Sequence, residues 1–367
     1  MKKPSEDVAK ILYNRGLACV VLGDFIGAFE SFRKAIAHKP EMAFAHPFCH
    51  IADNVSVVAF QPLAEISLIV HEIKKRMIIV PSKSLQSHYT NLDALKKLAV
   101  GEKFRLYNAD YMNDPEEGKT FWRIMNKLAG HNCYEAIHSD ESEESHSPAY
   151  VGSFFRENSS AKKDGELFLW RTYGKHAEVE AAGACLYFNI QNFSDTPPFH
   201  FGRMHYPNQD SHSQEECIYN VVYANKSYST RNKKLQSPLK NLAQKLSYIS
   251  THKWSHHQKK NVYRMTRELL DDIRFLFKAN HYREERELRI VQSHYPDESG
   301  QPTADGAVEI DIDSVPPRFF VEVKNLPLEA VVLGPAARGF REWKQWIENK
   351  NSKIEVRKSG IRYGKRN

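Results

Sequence analysis

Three ionisable residues stand at alternate positions in Tyr282-Arg283-Glu284-Glu285-Arg286-Glu287-Leu288-Arg289-Ile290-Val291. Side chains along a strand point alternately to its two faces. Read as a strand entered from the apolar run Phe275-Leu276-Phe277, the stretch puts Glu285, Glu287 and Arg289 on one face. Leu288 and Ile290 then point the other way, into a core. Two carboxylates and a guanidinium are costly to bury without partners. They suit a cleft where positive charge must be met, or else a solvated sheet face with cross-strand ion pairs.

A second feature is electrostatic. From Cys217 to Arg267 there is no Asp or Glu, while Lys226, Arg231, Lys233, Lys234, Lys240, Lys245, Lys253, Lys259, Lys260, Arg264 and Arg267 fall within it. Tyr228, Tyr248, Trp254 and Tyr263 are interleaved, with His252, His256 and His257. Basic residues mixed with aromatics suit a nucleic-acid backbone with stacked bases, so residues 226–267 are a candidate nucleic-acid surface. A solvated helical face is the competing reading. The His256-His257 pair has no carboxylate or thiol nearby in sequence, which argues against a metal site there.

The elements that must position these residues divide at about residue 80. Leu12, Gly16, Gly23, Ala28, Phe32, Ala35 and Pro40 stand at the offsets of a tetratricopeptide repeat, although Arg15 replaces the usual large apolar residue. Gly16 and Ala28 are small enough for two helices to approach closely, Gly23-Asp24 makes the turn, and Pro40 stops the second helix. One repeat cannot bury its own face. Segments 43–60 and 62–78 therefore read as further helices, and residues 1–80 as a helical domain that binds a protein partner or packs on the next domain. Beyond residue 80, strands outnumber helices. Phe104–Tyr107, Tyr150–Phe155, Ala184–Asn189, Ile218–Tyr223, Val308–Ile312, Phe319–Val323, Leu328–Leu333 and Ile354–Val356 read as strands, with helices near 92–98, 119–130 and 338–349. Residues 138–148 read as an exposed acidic loop, and 357–367 as a frayed basic tail. The fold class is α+β, with residues 81–367 as the mixed domain.

The bulk numbers narrow the function classes. The 367 residues are 41% hydrophobic and 26% charged, ordinary for a globular protein, and the net charge of +7 permits an anionic partner without requiring one. No apolar run approaches the ~20 residues of a membrane helix. Met1-Lys2-Lys3-Pro4 is followed by no apolar signal region, so the expected location is the cytoplasm, with no membrane contact. Cys19, Cys49, Cys133, Cys185 and Cys217 are odd in number and far apart, which argues against a disulfide framework or a zinc site.

Several short stretches occur in a familiar order: His88-Tyr89-Thr90, Asn113-Asp114-Pro115 with Glu117, Gly152-Ser153-Phe154, Trp170-Arg171 with Tyr173, Glu285-x-Glu287-x-Arg289, and Leu333-Gly334-Pro335. Together they resemble a widespread bacterial family of uncharacterised domains over about residues 84–357. That family in turn resembles divergent ADP-ribosyltransferases. The resemblance implies NAD as substrate. It implies that His88, beside Tyr89 and Thr90, holds the adenosine ribose, that Ser153 braces the site, and that Glu287 binds the nicotinamide ribose with Glu285 two residues before it. Tyr89, Trp170 or Tyr173 would stack on nicotinamide. Apart from the resemblance, Arg171 or a basic residue near it suits the pyrophosphate as a forked donor. The usual Ser-Thr-Ser is Ser153-Phe154-Phe155 here. The roles of Asn113, Asp114, Glu117 and Arg289 stay open.

The chemistry fits those residue types. Cleaving the nicotinamide–ribose bond builds positive charge on the sugar, as in glycoside hydrolysis. A carboxylate beside that charge stabilises the transition state more than the ground state. Glu285 would take a proton from the attacking group. The expected protein is an ADP-ribosyltransferase or NAD glycohydrolase with a helical-repeat arm, of the kind found in bacterial toxins or phage-defence effectors. Two rivals stand beside it: a non-catalytic nucleotide- or peptide-binding module, and a nuclease using Asp114, Glu117, Glu285 and Glu287 around a divalent ion.

Overall fold

The computed structural model describes residues 4–79, 85–112, 114, 116–139, 149–156, 167–197, 216–225, 227, 230, 232–294, 308–323 and 326–361. Asn113, residues 140–148 of the expected acidic loop, Lys226, Tyr228 and Arg231 of the basic segment, and the tail from 362 lie outside them.

The chain begins with five helices, α1 (Pro4–Leu22), α2 (Phe25–His38), α3 (Met42–Ala45), α4 (Pro47–Asn54) and α5 (Val57–Met77). The first two form a hairpin at Gly23-Asp24. Gly23 takes a positive φ of 76°, and Asp24 caps α2 by accepting from the Gly27 N–H at 2.9 Å. Close approach is enforced at Gly16, where an added Cβ would stand 2.5 Å from the Phe32 ring. Ala28, Phe32 and Ala35 are buried. The break expected between two helical segments near Gln61 is absent: Pro62 sits in the second turn of α5, which runs through it.

The mixed region continues with β1 (Leu85–Thr90), α6 (Leu92–Ala99), β2 (Phe104–Asn108), α7 (Lys119–Ala129), α8 (Cys133–Ile137), β3 (Ala149–Phe155), α9 (Leu167–Thr172) and β4 (Ala184–Asn189). The expected strand at 218–223 is two short ones, β5 (Tyr219–Asn220) and β6 (Val222–Ala224). Two long helices come next, α10 (Lys233–Thr251) and α11 (His256–Arg274). The chain closes with β7 (Phe277–Ala279), β8 (Glu287–Ser293), β9 (Glu309–Asp311), β10 (Arg318–Val323), β11 (Leu328–Leu333), α12 (Phe340–Lys350) and β12 (Glu355–Lys358).

Ten strands form one sheet in the order β12-β11-β4-β1-β3-β2-β10-β9, with β8 pairing β3 and β5. β6 and β7 pair separately. One face of the large sheet carries Leu106, Tyr150, Phe154, Leu186, Leu288 and Ile290 against α6 and α12. The other face is covered in two places. Near β4 and β11, α9 packs Leu169 and Trp170 on Tyr89, Cys185 and Tyr187. Near β3 and β8, Phe275 meets Ala149 and Val151.

The division at residue 80 is not a division of cores. The apolar faces of α10 and α11 (Leu239, Leu242, Leu246, Val262, Leu269) join Phe60, Leu63 and Ile66 of α5 in a single cluster with α1, α2 and α7. The acid-free segment assigned to the second domain thus completes the first domain's helical core. Two amphipathic helices without carboxylates bury their apolar faces as readily as any others, so charge content was no guide to which core they join.

Candidate functional site

The site begins at a split in the sheet. β3 is paired with β1 at its end, Phe155 opposite Ser87, and with β2 near its start, Val151 opposite Tyr107 and Tyr150 opposite Asn108. Between these contacts, Gly152, Ser153 and Phe154 have no strand partner on that edge among the described residues. Two local features hold the gap. At Gly152 an added Cβ would come within 2.5 Å of Leu106 and 2.9 Å of Phe104. At Ser153 the carbonyl takes a hydrogen bond from His88 Nδ1 at 2.8 Å, a side chain standing in for a ladder bond. A carbonyl only accepts, so Nδ1 carries the proton and the neutral ring keeps Nε2 as an acceptor. Burial lowers the His88 pKa below its ordinary 6.5, against the raising effect of that bond. The ring packs edge-on to Phe104 at 4.9 Å.

A cavity of about 680 Å³ opens where β1 and β2 part. At its base lies a closed network of charges. Glu287 Oε1 accepts from Ser153 Oγ at 2.5 Å and from Arg289 Nε at 2.7 Å. Its Oε2 accepts from Lys278 Nζ at 2.9 Å and from Arg289 at 3.1 Å. Lys278 also donates to Glu285 Oε2 at 2.9 Å, and Tyr173 donates to Glu285 Oε1 at 2.6 Å. Arg289 is fully buried and forks to Glu117 on its far side, with a further bond to the Phe275 carbonyl. Three carboxylates around two cations leave one net negative charge at the cavity's base.

This pairing decides which protonation states persist. Burial opposes the charge on Glu287, but Arg289 and Lys278 outweigh it and bring its pKa down to about 2. Burial likewise opposes the charges on Lys278 and Arg289, and their carboxylates hold both above their ordinary values. The Tyr173 hydroxyl is raised by burial and by the Glu285 charge it faces, so it stays a donor.

The structure brings His88, Tyr89, Thr90, Asp114, Glu117, Ser153, Tyr173, Glu285 and Glu287 to the cavity wall. His88, Ser153 and Glu287 lie on the neighbouring strands β1, β3 and β8 and are linked by the two hydrogen bonds above. Three expectations need correction. Glu285 is not on the strand: it ends a 3-10 turn (Asn280–Glu285), and Arg286, at φ 48°, turns the chain into β8. Both carboxylates nevertheless reach Lys278. Trp170 is fully buried, edge-on to Tyr89 at 5.0 Å, so its ring is not presented for stacking, whereas Tyr89 lines the cavity. Arg171 does not line the cavity; it sits on the surface with its Nε 3.9 Å from Glu180. In α9 Leu169 and Trp170 face the core, which turns Arg171 outward. Asp114 lines the cavity and also holds its turn, accepting from the Glu116 N–H at 2.9 Å. Gly334 lies away from the site, donating its N–H to the Gly183 carbonyl at 2.9 Å.

Sequence reasoning missed Lys278, Tyr223, Tyr282 and Arg318. Tyr223 Oη accepts from the Glu287 N–H at 2.8 Å, and the Tyr282 ring lies 4.5 Å from the Lys278 ammonium. Lys278 had a signal: a single cation after Phe275-Leu276-Phe277, in a strand buried on both faces, needs carboxylates close by. No family model, curated protein or solved structure matches this chain.

Proposed function

We propose that this chain is an NAD-consuming enzyme, an ADP-ribosyltransferase or NAD glycohydrolase, whose N-terminal helices are of the tetratricopeptide type. The observation that carries the reading is the carboxylate cluster of net charge −1, with Glu287 held ionised, at the base of a nucleotide-sized cavity in a split sheet. Such a site stabilises a sugar as it becomes cationic. Glu287 lies beside the developing charge. Glu285 takes the proton of the attacking group, with Tyr173 and Lys278 orienting it. His88 offers Nε2 to a ribose hydroxyl, and Ser153 fixes Glu287. Because the leaving nicotinamide departs without metal help, the activity should survive EDTA.

Nicotinamide release from NAD by purified protein, with and without EDTA, tests this. Label from NAD then separates transfer to an acceptor from hydrolysis. Release that EDTA abolishes would favour the divalent-ion site. That reading has a physical cost, because the oxygens of Glu117, Glu285 and Glu287 already face Arg289 and Lys278.

One observation favours a second reading. Both oxygens of Glu287 accept two hydrogen bonds within the protein, so a ribose hydroxyl must displace one of them. A nucleotide-binding module without turnover would keep this network closed. It would bind NAD without releasing nicotinamide, and Glu287→Gln would leave its affinity intact.

Two surfaces suit macromolecular partners in the same proposal. Ile11, Val21, Leu22 and Ile26 are exposed on the first helical hairpin, where a protein partner would dock. Exposed Lys253, His256, His257 and Lys260 flank the clustered, mutually tilted rings of Tyr248, His252 and Trp254, which suits single-stranded nucleic acid as a partner or acceptor. No helix among the described residues is long and apolar enough to cross a membrane.

A further inference from the structure

Every N–H of the Arg289 guanidinium has an acceptor. Nε and one Nη2 N–H face Glu287, at 2.7 and 3.1 Å. The other Nη2 N–H faces Glu117 Oε2 at 3.1 Å, and Nη1 donates to Glu117 Oε1 and to the Phe275 carbonyl. One edge of the guanidinium thus holds Glu287, and the adjoining edge holds Glu117, whose side chain is only 5% exposed. The turn that carries Glu117 is itself held. The Glu117 N–H donates to the Asp114 carbonyl at 3.0 Å. The next residue, Gly118, takes a positive φ of 73°, and an added Cβ there would stand 3.2 Å from the Phe275 ring.

The charges form one chain in the order Glu117, Arg289, Glu287, Lys278, Glu285. Signs alternate along it, with a carboxylate at each end and Glu287 in the middle. Each cation is therefore shared by two carboxylates. That sharing matters to a further cation entering the cavity. Were Arg289 to face Glu287 alone, two cations would stand against Glu287 and Glu285, and the cluster would be neutral. Glu117 offsets the guanidinium from its far edge and restores the negative field. The Phe275 carbonyl accepts from the same edge but carries no net charge. Buried charges act strongly on one another, because little water lies between them.

We propose that Glu117 is a positioning residue that acts through Arg289: it fixes the guanidinium and takes up part of its charge, so that Glu287 keeps the negative field that a cationic sugar needs. The sugar rests on the NAD reading; the control of Glu287 by Glu117 stands on the shared guanidinium.

Calorimetric titration of the full chain with two sugar analogues tests it. One is an iminoribitol, whose ring nitrogen is protonated at neutral pH; the other is the anhydroribitol with oxygen in its place. The wild type should bind the iminoribitol more tightly. Glu117→Gln, with its fold confirmed by circular dichroism, should weaken the iminoribitol by at least about tenfold and leave the anhydroribitol within about twofold. Glu117→Asp keeps the charge and should lose less than about threefold; it decides the matter alone if the Gln variant does not fold. Equal losses for both analogues would mean a structural role only and would overturn the proposal. So would an Asp variant as weak as the Gln variant, or a wild type without preference. NAD turnover separates the two claims. Glu117→Gln should lower kcat by at least about tenfold with KM within about twofold, as for a contact that matters only in the transition state. Turnover with a kcat indifferent to Glu117→Gln overturns the role of Glu117 and keeps the reaction. A Glu117-dependent preference for the iminoribitol without turnover keeps the role and overturns the reaction.

Discussion

Lys278 carries more of the site than its place in the sequence suggests. Its buried ammonium is the only group joining Glu285 to Glu287 among the described residues. Removing one partner of a buried ion pair strands the other, at about 3–5 kcal/mol. Lys278→Met should therefore lower stability by about that much, read from urea midpoints. Lys278→Met with Glu285→Gln should recover part of the loss, since one stranded charge goes too. A double variant no more stable than the single would mean that the pair is not coupled. Glu287 adds a pH signature. The folded chain keeps it ionised down to about pH 2, whereas an ordinary carboxyl takes a proton near 4.5. Between those values the unfolded state binds more protons. The contribution of Glu287 is thus fully present above pH 4.5 and is lost as the pH falls toward 2. The stability gap between wild type and Glu287→Gln should be constant from pH 7 to 5 and shrink below 4.5; a gap that stays constant to pH 3 would contradict the pairing. At this scale the acidic half of the site was legible, because carboxylates two residues apart announce themselves. The cationic half was not, since Lys278 and Arg318 reach the site only through strand pairing.

The decisive element is β3, which serves three neighbours. It pairs along its length with β8, and its other edge is shared between β1 and β2. Gly152 lets Leu106 and Phe104 of β2 cross close to its backbone just before the two strands part. Gly152→Ala should destabilise the fold by about 1–3 kcal/mol through overpacking. Combining it with Leu106→Ala should be less damaging than the two separate losses predict, because the methyl would occupy vacated space. Strict additivity in chemical denaturation would place Leu106 elsewhere. The apolar runs at 150–155 and 184–189 made both strands readable, and α12 was plain from its apolar stripe. The turn before β8 was not. Glu285 and Glu287 share a cleft as alternation implies, but a 3-10 turn and the left-handed Arg286 bring them there, and nothing in Arg286 as a residue type signals a positive φ.

Across the whole molecule, the helical region and the site are one mechanical unit. The end of α5 holds β5: Asn220 Nδ2 donates to the Met77 carbonyl at 3.1 Å, and the Ile79 N–H donates to the Ile218 carbonyl at 2.9 Å. β5 in turn pairs with β8, and the Val221 N–H donates to the Glu287 carbonyl at 3.1 Å. Lys74 of α5 meets Asp272 of α11 at 2.8 Å, and Asp272 takes a bond from Ser293 of β8 at 2.8 Å. The strand bearing Glu287 is therefore clamped at both ends by the first 79 residues. A chain lacking residues 1–79 should lose the cooperative transition of the full protein, because α10 and α11 would expose the faces that α5 covers. Calorimetry of the full chain should show one unfolding transition. Two independent transitions, or a well-folded 85–361 fragment, would contradict the clamp. The repeat-like spacing of residues 12–40 made the first hairpin readable. It gave no sign that the helices close over a strand more than 200 residues away, because long-range packing leaves no local pattern.

The central claim is that Glu287 stabilises a cationic sugar. Nicotinamide release from NAD at neutral pH, compared between wild type and Glu287→Gln with circular dichroism confirming the fold of both, tests it most directly. The account predicts release by the wild type and a loss of at least about a hundredfold in the variant. Equal release by both proteins, or none by the wild type even with cell lysate and nucleic acid added, would contradict it.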